Sequence, residues 1–227
     1  MTLKEIAGYL KVSEKTVLRM VQSGEFPGVK VSNQWRFLRV VVDDWLSTKM
    51  YAAPKKSLLD VVATAAHVIP LTRLVSNRRI VLGIRPGDKA AVLRQLVDPL
   101  QKQGLVDDAD AYTERLLARE DVVSTAIGHG LAIPHLRDPT EVMFDAPVIV
   151  LGVCREGTHF DALDGKKTFI FAMPCAGSEA AHLRLLAKIS LLFRKPGVLK
   201  QMTEAKTKKA IIEILAITDH DLMKLGH

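Results

Sequence analysis

The sequence predicts an α/β fold in two parts: a small N-terminal unit of short helices and a hairpin, and a larger unit with a mixed sheet covered by helices. Three observations carry this. Past Leu71, helical and strand-like hydrophobic patterns alternate, the arrangement that lays helices on a sheet. The runs "VIVLGV" and "FIFAM" are apolar without a break, as strands buried on both faces are. The first fifty residues hold two short helical patterns around a tight turn, then two extended stretches around a polar turn. A chain of 227 residues has room for one medium domain and one small one.

The small unit spans residues 1–50. Thr2 and Glu5 have the T-x-x-E spacing of a capping box, and Ile6 and Leu10 follow on one helical face. "LKVS" makes a turn, after which Ser13 is placed to cap a second helix. That helix turns Val17 and Val21 inward and leaves Glu14, Lys15, Thr16 and Arg19 outward. Gly24 ends it, being free to adopt a left-handed conformation. "GVKVSNQWRF" reads as two strands around Ser32-Asn33-Gln34, with Trp35 and Phe37 as packing residues. A third helix, "RVVVDDWLSTK", sets Val41 and Trp45 on one face.

Residues 51–70 read as linker. "MYAAPKKS" has the proline and small residues of one, and "LLDVVATAAHVIP" suits a short connecting helix stopped by Pro70. The larger unit is expected over 71–217, and 218–227 as a polar tail. "RRIVLGI" is its first strand pattern. A helix over Asp88–Gln103 places Leu93, Leu96, Val97 and Leu100 at helical spacing, and Pro99 predicts a kink or an early end. Another helix is expected over Asp108–Arg119. Strands follow at "STAIG", "LAIP", "APVIVLGVC" and "KTFIFAMP". Ser178 caps a helix to about Phe193, Pro196 starts a short one, and "AKTKKAIIEILA" is the last.

Composition narrows the function. Apolar residues make up 48% of the chain and aromatics 5%, so the core is aliphatic. No apolar run approaches the ~18 residues that span a bilayer, so no membrane insertion is expected. "MTLKEIAGYL" lacks the basic and apolar regions of a signal peptide. Cys154 and Cys175 form no CxxC, which disfavours a disulfide framework or a zinc site and fits a reducing cytoplasm. The net charge is +7, of which residues 1–50 carry +3. Per residue the small unit is about threefold more positive, the sign expected for a nucleic-acid or acidic partner.

Two helices, a turn and a hairpin describe a winged helix-turn-helix. Its second helix enters the major groove, where Lys15, Thr16 and Arg19 reach phosphates or base edges. The wing offers Lys30, Asn33, Gln34 and Arg36 for backbone contact. The same residues also suit a docking module with a solvated cationic face. "TLKEIAGYLKVSEKTVLRMVQSGEFPGVKVSNQWRFLRVVVDDWL" resembles the excisionase-type branch of the MerR-like DNA-binding domains. That resemblance implies DNA binding by the second helix and wing, with a homodimer expected because one small domain offers limited contact area.

"GHGLAIPHLRDP" is the stretch of the larger unit richest in chemistry. Gly128 and Gly130 begin a GxG, but Ile133 stands at the third glycine position, so the dinucleotide fingerprint fails. "DGKKT" fails as a phosphate loop. No HExxH or GxSxG occurs, and His129 and His135 have no metal-ligand spacing. Neither metal nor cofactor is expected. What is left is a histidine, His135, at a strand end beside glycines. Neutral imidazole is a nucleophile near pH 7 and can carry a covalent group. A phosphoryl cargo needs positive charge and donors nearby. Arg119, Ser124, Thr125 and His182 are candidates, His182 in the first turn of a helix whose free N–H groups favour anions. A purely structural histidine is the alternative. Asp161 and Asp164 suit a turn between strands.

"ARED…STAIGHGLAIPH", "FDALDGKKTFIFAMPCAG" and "AAHLRLLAKIS", in that order, resemble the enzyme IIA domains of the mannitol, fructose and nitrogen branch of the bacterial phosphotransferase system. The resemblance implies that His135 accepts phosphate from HPr or its paralogue. It implies that Arg119 steadies the phosphate, that His182 assists by hydrogen bonding, and that Thr125 lies beside the site. A small residue usually follows the active histidine in that family; here it is Leu136. Together the two halves imply a cytoplasmic transcriptional regulator that reads phosphotransferase status through His135. Two other readings stay open: a phosphocarrier that passes phosphate to a permease domain, and a binding module in which His135 is never phosphorylated.

Overall fold

The computed structural model describes residues 1–32, 34–39, 41–43, 45–46 and 70–224. The expected linker and connecting helix, Asn33 and residues 225–227 lie outside the described residues. The chain divides into two compact units, Met1–Lys49 and Met50–His227.

In the first unit, α1 (Leu3–Leu10) opens on the expected capping box. Thr2 Oγ1 accepts the Glu5 N–H at 3.3 Å, and Glu5 Oε2 accepts the Thr2 N–H at 2.7 Å. Lys11, at φ 56°, caps the far end from a left-handed conformation. Helix α2 (Glu14–Gln22) starts on Ser13, whose hydroxyl accepts the Thr16 N–H at 3.1 Å. Gly24, at φ 75°, turns the chain out of it. Strands β1 (Val29–Val31) and β2 (Gln34–Arg36) form the antiparallel wing, with Lys30 opposite Trp35. Ile6, Val17, Val21, Phe26, Phe37 and Val42 fill the core. Residues 39, 41–43 and 45–46 are helical. Trp45 seals this core: its ring meets Phe26 edge-on at 4.6 Å, and its indole N–H donates to the Glu25 carbonyl at 2.6 Å. The Tyr9 hydroxyl closes the unit on Asp43 at 2.6 Å.

The second unit is a mixed sheet packed with helices. After short helical turns at Leu71–Leu74 and Asn77–Arg79, its elements are β3 (Ile80–Leu82), α3 (Lys89–Gln101), α4 (Ala109–Glu120), β4 (Ala126–Gly128), β5 (Leu131–Ala132), β6 (Val148–Thr158), β7 (Thr168–Cys175), α5 (Glu179–Phe193), α6 (Val198–Glu204) and α7 (Lys208–Lys224). Among the described residues the sheet order is β3-β6-β7-β5-β4. β3 runs parallel to β6 and β5 to β7, while β6/β7 and β4/β5 are antiparallel. The unbroken apolar stretches of β6 and β7 lie in the middle and are buried on both faces. One apolar cluster sits under α5, α6 and α7, the other under α3 and α4. On β6, Gly152 lets α3 come close: a Cβ there would meet Ile84 Cδ1 at 2.3 Å and Leu96 Cδ2 at 2.6 Å. Cys154 and Cys175 are buried free thiols, and burial pushes the Cys175 thiol up to about 12.

Three boundaries differ from expectation. α3 runs through Pro99 and ends two residues later, at Gln101. A proline so close to the C-terminal end removes a single backbone bond, and the Gln103 side chain donates to its carbonyl at 2.7 Å. α6 begins at Val198, after Gly197 at φ 83°, instead of on Pro196. The segment 218–224, read from sequence as polar tail, is the end of α7. Asp219 explains it: buried, it accepts the Leu71 N–H at 2.7 Å and pairs with Lys188 of α5 at 3.1 Å. Asp219 thus faces tertiary partners, while His220 and Asp221 stay exposed.

Candidate functional site

His135 follows β5 and belongs to a polar group set among apolar walls. Its Nδ1 lies 2.7 Å from the Ile133 carbonyl oxygen. A carbonyl only accepts, so Nδ1 carries the proton and donates it. In the neutral ring Nε2 is then unprotonated, and Arg119 Nη2 donates to it at 3.2 Å. Arg119 lies in the last turn of α4 and is fully buried. Its Nη1 donates to the Val123 carbonyl at 2.5 Å, which fixes the guanidinium plane. The His182 ring lies 5.0 Å from the His135 ring, centroid to centroid, tilted by 52°. It sits in the first turn of α5, which Ser178 caps. His135, Arg119 and His182 are therefore brought together from a strand end, a helix C-terminus and a helix N-terminus.

Thr125 is held one step away. Its hydroxyl and its N–H both donate to the Glu120 carboxylate, the N–H at 2.9 Å. Its own carbonyl accepts the Ile133 N–H at 3.0 Å. A continuous path thus runs from Glu120 through Thr125 and Ile133 to His135 Nδ1. Glu120 was not singled out from the sequence; the "RED" of Arg119-Glu120-Asp121 was the only signal. Burial holds its carboxyl above the ordinary range, against the lowering effect of the two Thr125 bonds. Ser124 donates to the Phe160 carbonyl at 2.7 Å, turned toward that backbone. Leu136 is buried in the apolar cluster under α3 and α4.

The turn aspartates act as expected of a turn. Asp164 accepts the N–H groups of His129 and Lys166, at 2.9 and 3.1 Å, which holds its carboxyl below the usual range. Asp161 pairs with Lys89 at 2.7 Å, with the same effect. His129 and His159 are exposed. Among the described residues of this unit, no three metal-ligating side chains converge.

In the helix-turn-helix unit Lys15 and Arg19 are exposed on α2 and Lys30 on β1. Thr16 is engaged with Ser13, hydroxyl to hydroxyl at 2.8 Å. Arg36 folds back on Gln34 Oε1 at 2.7 Å and on the Trp35 carbonyl. Asn33 lies outside the described residues.

Residues 73–217 match the model of the family described as "Phosphoenolpyruvate-dependent sugar phosphotransferase system, EIIA 2". The chain belongs to this EIIA family. Residues 1–50 match a helix-turn-helix domain model. The chain is 35% identical over 153 residues to the fructose-specific EIIABC component of Bacillus subtilis, covering 66% of this chain and 23% of that protein. The chain thus spans about a quarter of that relative's length. It is 31% identical to the nitrogen regulatory protein of Pseudomonas aeruginosa, over 65% of this chain and 96% of that protein. Among solved structures, the complex of enzyme IIAMTL and phosphorylated enzyme IIBMTL from Escherichia coli matches with a TM-score of 0.55 at 19% identity. The match covers 63% of this chain and 96% of that one. At that identity the likeness speaks for the EIIA fold alone, a mixed sheet with helices. No helix among the described residues is long and apolar enough to cross a membrane.

Proposed function

We propose that this chain is a phosphotransferase-linked transcriptional regulator whose DNA-binding head is governed by phosphorylation of His135 at Nε2, the phosphate coming from HPr or its paralogue. The observation that carries the proposal is the bonding of the ring: Nδ1–H tied to the Ile133 carbonyl, Nε2 with its lone pair against Arg119. In the transfer, the Nε2 lone pair attacks phosphorus and a P–N bond forms. The P–N bond of the donor phosphohistidine breaks, and its electron pair returns to the donor nitrogen. The proton stays on Nδ1, hydrogen-bonded to the Ile133 carbonyl, throughout. Arg119, displaced from Nε2 by the incoming group, meets charge developing on the phosphoryl oxygens, the place where fixed cations act most strongly. His182 supplies a second ring at the same point.

The phosphoryl group brings about −1.5 to −2 charges to a basic protein. Lys15, Arg19 and Lys30 are the head's exposed cations for DNA, with Thr16, Asn33 and Arg36 as further contacts. A homodimer presenting two heads belongs to the same reading, as does a cytoplasmic setting. The test is intact-protein mass after incubation with phosphoenolpyruvate, enzyme I and HPr. An acid-labile phosphoryl gain in the wild type and none in His135→Ala is expected. No gain in the wild type with HPr or its nitrogen-branch paralogue overturns the proposal.

A second reading, a phosphocarrier that passes phosphate to a permease domain, is favoured by the EIIABC relative, in which an EIIA part is joined to others. Transfer of labelled phosphate from this chain to an EIIB domain would establish it; label retained on His135 favours the regulator.

A further inference from the structure

β3 is the edge of the sheet opposite β4, and among the described residues it pairs with β6 alone. Beside it lies a groove of about 620 Å³ that the phosphoryl site does not use. Its floor is the chain from Ile80 to Gly83, and its walls come from the end of α3 and the start of α7. Four cations line it: Arg78, Arg85, Lys102 and Lys208. Its single acid, Asp98, is ion-paired with Arg94. Among the described residues the ion pairs found involve none of the four cations. Lys208 Nζ reaches only a carbonyl, that of Asn77, at 3.0 Å.

The groove is also built. Gln95 Oε1 accepts the Arg85 N–H at 2.9 Å, and Gln95 Nε2 donates to the Arg85 carbonyl at 3.2 Å. This is the two-bond exchange that a neighbouring strand makes. At the other end Gln103 donates to the Arg78 backbone carbonyl at 3.5 Å and accepts from the Arg79 guanidinium at 3.2 Å. Gln95 thus engages the Arg85 backbone and Gln103 the Arg78 carbonyl, while the strand between, unpaired on this side among the described residues, faces the groove as an open edge.

We infer that this groove docks an extended acidic segment of a partner protein, which adds a strand to β3 while its carboxylates meet Arg78, Arg85, Lys102 and Lys208. Backbone pairing supplies affinity in such additions, and side chains supply selectivity. Charge decides the occupant. A second copy of this edge would set four cations against four, and like charges across an interface are costly. The chain's own 50–69 stretch carries Lys55 and Lys56 against Asp60, the wrong sign.

The test is fluorescence anisotropy on the full chain with a labelled ten-residue peptide of alternating glutamate and valine. Its lysine–valine counterpart and a version N-methylated at alternate amides serve as comparison. The Arg78→Glu/Lys102→Glu variant changes exposed side chains only, and its thermal melt by circular dichroism reports that it is folded. The acidic peptide is expected to bind and the lysine peptide not to. Charge reversal is expected to weaken binding roughly tenfold, about what two partly exposed ion pairs contribute, and N-methylation to weaken it as well. Equal binding of the N-methylated peptide overturns strand addition, and binding unchanged by the double reversal overturns the site. A concentration-dependent dimer that the reversal abolishes assigns the edge to a second copy and overturns the proposal too. None of these outcomes depends on phosphorylation of His135.

Discussion

The EIIA unit and the helix-turn-helix head hold their candidate functional side chains in opposite ways. Around His135 the polar groups are buried and fixed by one another: Glu120 holds Thr125, Thr125 holds Ile133, and Ile133 holds the ring. In the head Lys15, Arg19 and Lys30 stand exposed on a scaffold whose own bonds are spent on caps and core. The difference fits the proposed chemistry. Group transfer to a nitrogen needs a defined lone pair and a charge in a fixed place. Attraction to a phosphate backbone needs only cations within reach.

The two units are separable by measurement, because both tryptophans, Trp35 and Trp45, lie in the head. Asp219→Ala should have the largest effect. It breaks the buried ion pair that Asp219 makes with Lys188, a loss of about 3–5 kcal/mol. Far-UV circular dichroism, dominated by the EIIA unit, should then show an earlier denaturant transition while tryptophan fluorescence keeps its midpoint. Equal shifts in both signals would break the comparison. Next comes Arg119→Gln, expected to slow phosphoryl acceptance about a hundredfold while leaving DNA affinity of the unphosphorylated protein unchanged. Arg119→Lys, keeping the charge but not the planar fork, should recover part of the rate in the same mass assay. The smallest effect is expected in the head. Lys15→Ala and Arg19→Ala should each lower the slope of log affinity against log salt by about one, read by titrating DNA at several ionic strengths. An unchanged slope would remove that cation from the DNA-facing set.

What the sequence made legible was local. The caps at Thr2, Ser13 and Ser178 are read from spacings of three or four residues, and each makes its bond. The apolar runs of β6 and β7 announced buried strands because burial on both faces leaves no polar position to mislead. The resemblance of the blocks around His135 and His182 pointed to the EIIA family, and the fold brings those two rings to 5.0 Å. What was hidden was long-range. The end of α7 looked like tail because Asp219 is polar, and its partners Leu71 and Lys188 are far away in sequence. Glu120 was passed over because its meaning depends on Thr125 folding back over the end of α4. Thr125 bonds the Ile133 N–H through its carbonyl, and its hydroxyl is turned to Glu120.

A free imidazole is a mixture of two tautomers, and its phosphorylation gives two positional isomers that differ in lability. The Ile133 carbonyl removes that ambiguity before any donor arrives, because the nitrogen it engages is occupied by a proton. On the proposed chemistry, every molecule in a population would carry its label on the same atom and lose it with one rate constant. A cell reading such a protein would then read a single decay, not a blend of fast and slow ones.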